Sequence, residues 1–207
     1  MLMLFVDNES KMIGDFSMQE ISLHLPIGYI MGLVGQNGSG KTSLFHLIMG
    51  LYTTETGRIE INGSNIKENE GKSKNDIGYV LAEELFEMQL TLKDNADMFG
   101  KYYSSYDESV FLDYCRKFSL LPNKKLRKYS RGEKLKFQFA FALSHNPKLL
   151  IFDEPTASFD PEFRVEFLEI ITHFVSDGEH SVLLATHLTG ELDRIADYIM
   201  FLAWIEK

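Results

Sequence analysis

Cysteine is almost absent from this chain: one residue, Cys115, stands among 207. A lone thiol excludes an internal disulfide and suits a reducing compartment. Cys115 falls in the apolar-periodic stretch 110–118, where a small buried hydrophobe is its expected role. Long hydrophobic runs are missing too: none approaches the ~18 apolar residues of a spanning helix. The apolar start, residues 1–6, is too short for a signal peptide and lacks its basic leader. Positive charge is in deficit, with 21 Lys and Arg against 30 Asp and Glu and a net charge of −9. Binding to nucleic acid calls for a basic footprint, so no nucleic-acid partner is expected. The sequence also has no internal repeat and no low-complexity tract. These absences lead to the expectation of a cytoplasmic protein whose membrane role, if it has one, falls to a separate partner.

What is present is a sizeable apolar share, 44%, beside 25% charged residues, which suits a globular α/β domain. Strand and helix patterns alternate along most of the chain. Residues 1–6, 21–25 and 58–61 read as strands of an N-terminal β subdomain, and 68–76 as a polar surface loop. From about residue 90 to 143 the strand signal fades. Segments 91–103, 107–120 and 132–144 read as helices, with Pro122 and the basic run 124–128 breaking the pattern. This stretch is expected to be a helical subdomain, about 84–146, inserted into a sheet domain that spans 1–207. After Pro147 the alternation returns, with strands at 149–152, 181–185 and 198–203 and helices at 163–175 and 191–196.

The chemistry is concentrated in a few short motifs. Gly35, Gln36, Asn37, Gly38, Ser39, Gly40, Lys41 and Thr42 form a G-x-x-x-x-G-K-[ST] phosphate loop. Its glycines let backbone N–H groups turn inward toward phosphate oxygens. Lys41 can reach the β- and γ-phosphates, and the Thr42 hydroxyl can hold Mg²⁺. An apolar run precedes the loop and a helical run from Ser43 follows it, which adds the pull of a helix N-terminus on anions. Further along, the apolar strand 149–152 ends in Asp153 and Glu154. Asp153 is placed to hold Mg²⁺, and Glu154 to polarise a water for attack on the γ-phosphate. The motif Tyr129-Ser130-Arg131-Gly132-Glu133 opens a helix, with Ser130 as N-cap and Gly132 leaving room for close approach of a phosphate. His187 follows the strand 181–185, which is expected to pair with the Asp153 strand and so bring His187 near the γ-phosphate. Asp160 and Pro161 mark another helix start.

Together these motifs resemble the ATP-binding subunit of an ABC transporter over essentially the whole chain. The phosphate loop 35–42, the signature 129–133, the Walker B strand 149–154, the D-loop 157–160 and the switch His187 stand in that family's order. The opening 25–32 looks most like the exporter subgroup of bacitracin-resistance and related bacterial transporters. The resemblance implies the ABC ATPase fold, a P-loop NTPase core sheet with an antiparallel β subdomain and an inserted helical subdomain. It implies ATP and Mg²⁺ as ligands, with Thr42 and Asp153 at the metal. Lys41, Glu154 and His187 would be catalytic. It also implies a second ATP-binding subunit facing the first head to tail, whose Ser130 and Gly132 would close on the first subunit's ATP. A transmembrane permease would hold both at the inner face of the membrane, with Phe86, Met88 and Leu90 as its expected contacts.

Three departures stand out. The signature carries Tyr129, Arg131 and Glu133 where the family has Leu, Gly and Gln. The loop after 77–81 carries Ala82, Glu83 and Glu84 where a glutamine is usual. Near the expected adenine-stacking aromatic, only Phe16 fits. A non-transport or regulatory ABC ATPase with weak hydrolysis remains the alternative.

Overall fold

A computed structural model describes residues 1–13, 16–53, 56–83, 85–187 and 189–203. Two strands open the chain, β1 (Leu2–Ile13) and β2 (Phe16–Pro26). Then follow β3 (Ile30–Val34), α1 (Lys41–Ile48), β4 (Thr56–Ile61), the two-residue β5 (Ser64–Asn65), α2 (Glu70–Asn75) and β6 (Ile77–Val80). Three helices come next, α3 (Leu92–Gly100), α4 (Glu108–Lys117) and α5 (Arg131–Ser144). The chain then runs through β7 (Leu149–Asp153), α6 (Pro161–Val175), β8 (Ser181–Thr186), α7 (Thr189–Ile195) and β9 (Tyr198–Phe201). Single 3₁₀ turns lie at Leu126–Lys128 and Thr156–Ser158.

The strands form two sheets. One is antiparallel, in the order β2-β1-β4-β5, and the other is parallel, in the order β6-β7-β8-β3-β9. Side chains alternate across the parallel sheet. Leu150, Phe152, Val182 and Leu184 face a core shared with α3–α6, while Leu149, Ile151, Leu183 and Ala185 face a core shared with α1 and the antiparallel sheet. Burial on both faces explains why these strands read as unbroken apolar runs. Phe139 on α5 stacks with Phe118 and meets Phe152 and Phe167 edge-on, tying the three-helix region to the sheet. Cys115 is fully buried in the same core, as expected, and burial pushes its thiol pKa up to about 12.

Helix starts follow the sequence closely. Thr91 and Ser130 each make a capping box, with Asp94 and Glu133, and Asp107 and Asp160 cap α4 and α6. The loop expected at 68–76 is instead largely the short helix α2. It has no side-chain cap and is too short to hold by propensity alone. Tertiary contacts hold it in place: it packs on β5 and β6, Asn75 Oδ1 accepts from the Ser104 N–H at 2.8 Å, and Asn62 Nδ2 donates to Asp76 Oδ2 at 3.2 Å. The first strand also runs well past residue 6. Its polar half, 7–13, stays in the sheet because register shifts between Val6 and Glu9 and between Glu9 and Lys11 keep it paired with β2.

Candidate nucleotide-binding site

Val34 ends β3, and the chain turns through residues 35–40 into α1. Gly38 (φ 83°) and Gly40 (φ 98°) adopt left-handed backbone, where a Cβ would be strained. Gly40 is the N-cap of α1 and offers no side chain, so the first N–H groups of the helix point into the turn. Lys41 is buried, and its Nζ donates to the carbonyls of Gly35 at 2.7 Å and Gln36 at 3.3 Å. The lysine thus spans its own loop from beneath. Thr42 Oγ1 donates to Asp153 Oδ2 at 2.7 Å, joining the loop to the end of β7. Burial raises the Asp153 pKa; the Thr42 bond and Lys41 oppose the rise, while Glu154 and Glu83 add to it.

Sheet order brings the remaining groups together. Strand β8 lies between β3 and β7, so the residue after β8 emerges between the phosphate loop and the Asp153–Glu154 corner. That residue is His187. Its Nδ1 lies 2.5 Å from Glu154 Oε2, and its backbone N–H donates to the same oxygen at 3.2 Å. Glu154 Oε1 faces Lys41 Nζ at 3.4 Å. Glu154 holds a left-handed φ of 51°, a strained backbone for a non-glycine residue, and its N–H bonds the Ala185 carbonyl at 3.0 Å. The strain turns its carboxylate toward Lys41 and His187.

Two clefts flank the loop. A cleft of about 970 Å³ is lined by Gly35–Ser39 together with His187 and Phe201. A second, about 330 Å³, is lined by Lys41, Thr42, Ser43, Asp153 and Glu154, together with Ala82 and Arg131. Ser130 and Gly132 do not line this chain's own clefts. Gly132 has a structural duty within the chain, because a Cβ there would sit 2.3 Å from the Ser158 carbonyl oxygen. The side chain of Phe16 lies outside the described residues, as does Glu84.

Three residues near the site were given no role by the motifs. Gln138 on α5 is buried; its Oε1 accepts from the Leu81 N–H at 2.8 Å and its Nε2 donates to the Glu83 carbonyl at 3.3 Å. It clamps the backbone on both sides of Ala82. His46 on α1 places Nε2 3.3 Å from Glu83 Oε1. Arg131 is the third. A polar residue inside the run Phe137-Gln138-Phe139-Ala140 was the available signal for Gln138. Phe86, expected as a permease contact, packs its ring against Phe99, Phe137 and Phe141 at the edge of the core.

A glycine-rich turn between a parallel strand and a helix, with a buried lysine and a strand-end carboxylate pair, defines a P-loop nucleotide-binding protein. The chain belongs to the ABC transporter family, whose model matches residues 18–157. It is 31% identical to the glutamate transport ATP-binding protein GluA of Corynebacterium glutamicum, over 97% of this chain and 87% of GluA. It is 29% identical to the ABC transporter ATP-binding protein YtrB of Bacillus subtilis, over 91% of this chain and 64% of YtrB. It is also 29% identical to the bacitracin transport ATP-binding protein BcrA of Enterococcus faecalis, over 93% of this chain and 64% of BcrA. The chain thus spans less than two thirds of the length of YtrB and BcrA. Among solved structures, an ATP-binding subunit of an ABC transporter aligns with a TM-score of 0.88 at 24% identity, covering 98% of this chain and 86% of that one. A post-hydrolysis dimer of the ATP-binding cassette MJ0796 with ADP and Pi aligns at 0.84 and 20%, over 97% and 94%.

Proposed function

We propose that this chain binds and hydrolyses ATP as one of a pair of ATP-binding subunits that drive export through a separate permease. The observation that carries this reading is the convergence of Lys41, Glu154 and His187 where β3, β8 and β7 end side by side. Lys41 would neutralise phosphate charge. Glu154, oriented by His187, would orient and deprotonate the attacking water, work typically worth about 10²–10⁴ in rate. Thr42 and Asp153 fit a Mg²⁺ ion: a buried carboxylate with a raised pKa, already paired with a hydroxyl, is relieved by a hard cation. Among the described residues no cluster of three metal-binding side chains occurs, so such an ion would also need oxygens of the nucleotide. Bound there, Mg²⁺ supplies charge neutralisation at the transferring phosphoryl group.

The second subunit and the permease follow from the family. The MJ0796 dimer supports the pairing, with Ser130 and Gly132 of one copy closing on the other's nucleotide. Among the described residues no helix is long and apolar enough to cross a membrane, so the transport path would lie in the permease. Export, and a position on the inner face of the membrane, rest on the exporter-like opening 25–32.

Two substitutions test the reading on the purified chain. Glu154→Gln should lower steady-state hydrolysis at least about a hundredfold while ATP still binds. Lys41→Ala should abolish ATP binding. Unchanged hydrolysis in the first would remove Glu154 from the mechanism, and tight binding in the second would refute the cradle. Ala82, in place of the usual glutamine, favours one second reading, a subunit that binds ATP but turns it over slowly. ATPase rates with and without the permease separate the two.

A further inference from the structure

Ala82 lines two cavities at once, the 330 Å³ cleft with Lys41, Thr42 and Asp153, and an adjoining groove of about 380 Å³. Its segment, Leu81 to Glu83, lies past Val80, the last residue of β6 in register with β7. Two side chains hold this segment from different helices.

Gln138 holds it from α5. The amide is buried; its Oε1 accepts from the Leu81 N–H at 2.8 Å, and its Nε2 donates to the Glu83 carbonyl at 3.3 Å. One side chain therefore fixes the main chain on both sides of Ala82. His46 holds the segment from α1, the helix that follows the phosphate loop, with Nε2 3.3 Å from Glu83 Oε1. Phe137 and Phe139, the neighbours of Gln138, are fully buried. An amide buried beside them is costly unless both its poles are bonded, and here both bonds go to this one segment.

What the fixed segment presents is the Glu83 carboxylate. It is half-exposed, touches His46 and lies within electrostatic range of Asp153. Thr42 and Asp153 are the pair that fits Mg²⁺. Among the described residues no three metal-binding side chains cluster, so Glu83 acts there through its field rather than as a ligand. A carboxylate held at that range favours a divalent cation and disfavours bare triphosphate. The same charge swinging free in solvent would be screened.

We infer that Gln138 is a positioning residue for the proposed nucleotide site: it holds the main chain around Ala82 so that the Glu83 charge raises the affinity of the cleft for the nucleotide's Mg²⁺. This role rests on the proposed ATP binding. It gives the cation preference of the cleft a determinant on α5, outside the phosphate-binding motifs.

The test titrates a fluorescent ATP analogue into the purified chain, once in EDTA and once in excess Mg²⁺. The ratio of the two affinities is the Mg²⁺ gain, which a merely structural role would not move. Gln138→Met, close in size but without the amide, should cut the gain about tenfold and leave binding in EDTA unchanged or tighter. Glu83→Gln, at a half-exposed position, should cut it as much. The double variant should lose no more than either alone, because one residue acts through the other. Gln138→Asn, one methylene short, should fall between Gln138→Met and the wild type. Asn95→Ala is the structural control. Asn95 is another buried amide, bonded to the Glu87 N–H and to the Glu87 and Thr91 carbonyls, so its loss should lower the melting temperature and spare the gain. A wild-type gain in Gln138→Met overturns the inference, as do additive losses in the double variant or a loss shared equally by the EDTA and Mg²⁺ titrations. If the wild type binds no analogue in either titration, the nucleotide reading fails and this role with it. If it binds and the gain is indifferent to Gln138, only the role of Gln138 falls.

Discussion

Glu9 is fully buried on β1, and neither carboxyl oxygen has a hydrogen-bond partner among the described residues. Strict alternation from the buried Val6 would put Glu9 on the solvent side. Asn8, at φ 51°, and the register shift between Val6 and Glu9 reverse the face, which no pattern of apolar residues announces. Burial pushes the Glu9 pKa up to about 7, with Lys67 pulling it back. The unfolded chain loses this proton from pH 4.5 upward while the folded chain keeps it to about 7, so stability from this group falls as pH rises through that window. His145 works the other way. Burial lowers its pKa to about 4 from 6.5, so its contribution is lost as pH falls from 6.5 toward 4. The two slopes oppose each other in the wild type. Glu9→Gln should remove one of them, so that denaturant midpoints of the variant climb between pH 4.5 and 6.5 more steeply than those of the wild type.

At the scale of elements, the capped helices were legible because Thr91, Asp107, Ser130 and Asp160 announce them chemically. Helix α2 was not, since tertiary contact rather than local preference makes it. Its Gly71 and the Gly132 of α5 form an informative pair. Nothing lies within 4 Å of a Cβ at Gly71, whereas one at Gly132 meets a backbone carbonyl. Gly71→Ala should stabilise by about 0.4–1 kcal/mol through the unfolded state. Gly132→Ala should destabilise by about 1–3 kcal/mol, since backbone must shift to relieve the overlap. Thermal melts of the two variants read the opposite signs directly. The second variant also tests whether Gly132 matters before any partner is present.

For the molecule as a whole, the order of motifs along the chain was enough to indicate both family and fold. The position of His187 follows once β8 is known to lie between β3 and β7. Gln138 was not legible in the same way, because its importance comes from which loop α5 packs against, a contact set by distant residues. The paired arrangement belongs to this scale as well. With ATP and Mg²⁺, Glu154→Gln should accumulate as a dimer on a sizing column, while Lys41→Ala stays monomeric. A Glu154→Gln chain that binds ATP yet remains monomeric would argue against a homodimer and direct attention to a second, different subunit.

Cys115 gives the chain a practical asset. Its thiol is fully buried and stays protonated far above neutral pH, so the only native sulfhydryl is chemically silent in the folded protein. Cysteines introduced at exposed positions, such as Ser105 beyond α3 and Glu162 at the start of α6, would therefore accept dyes or spin labels without background. Distances between the three-helix region and the sheet could then be followed through a nucleotide cycle in a sequence otherwise left intact.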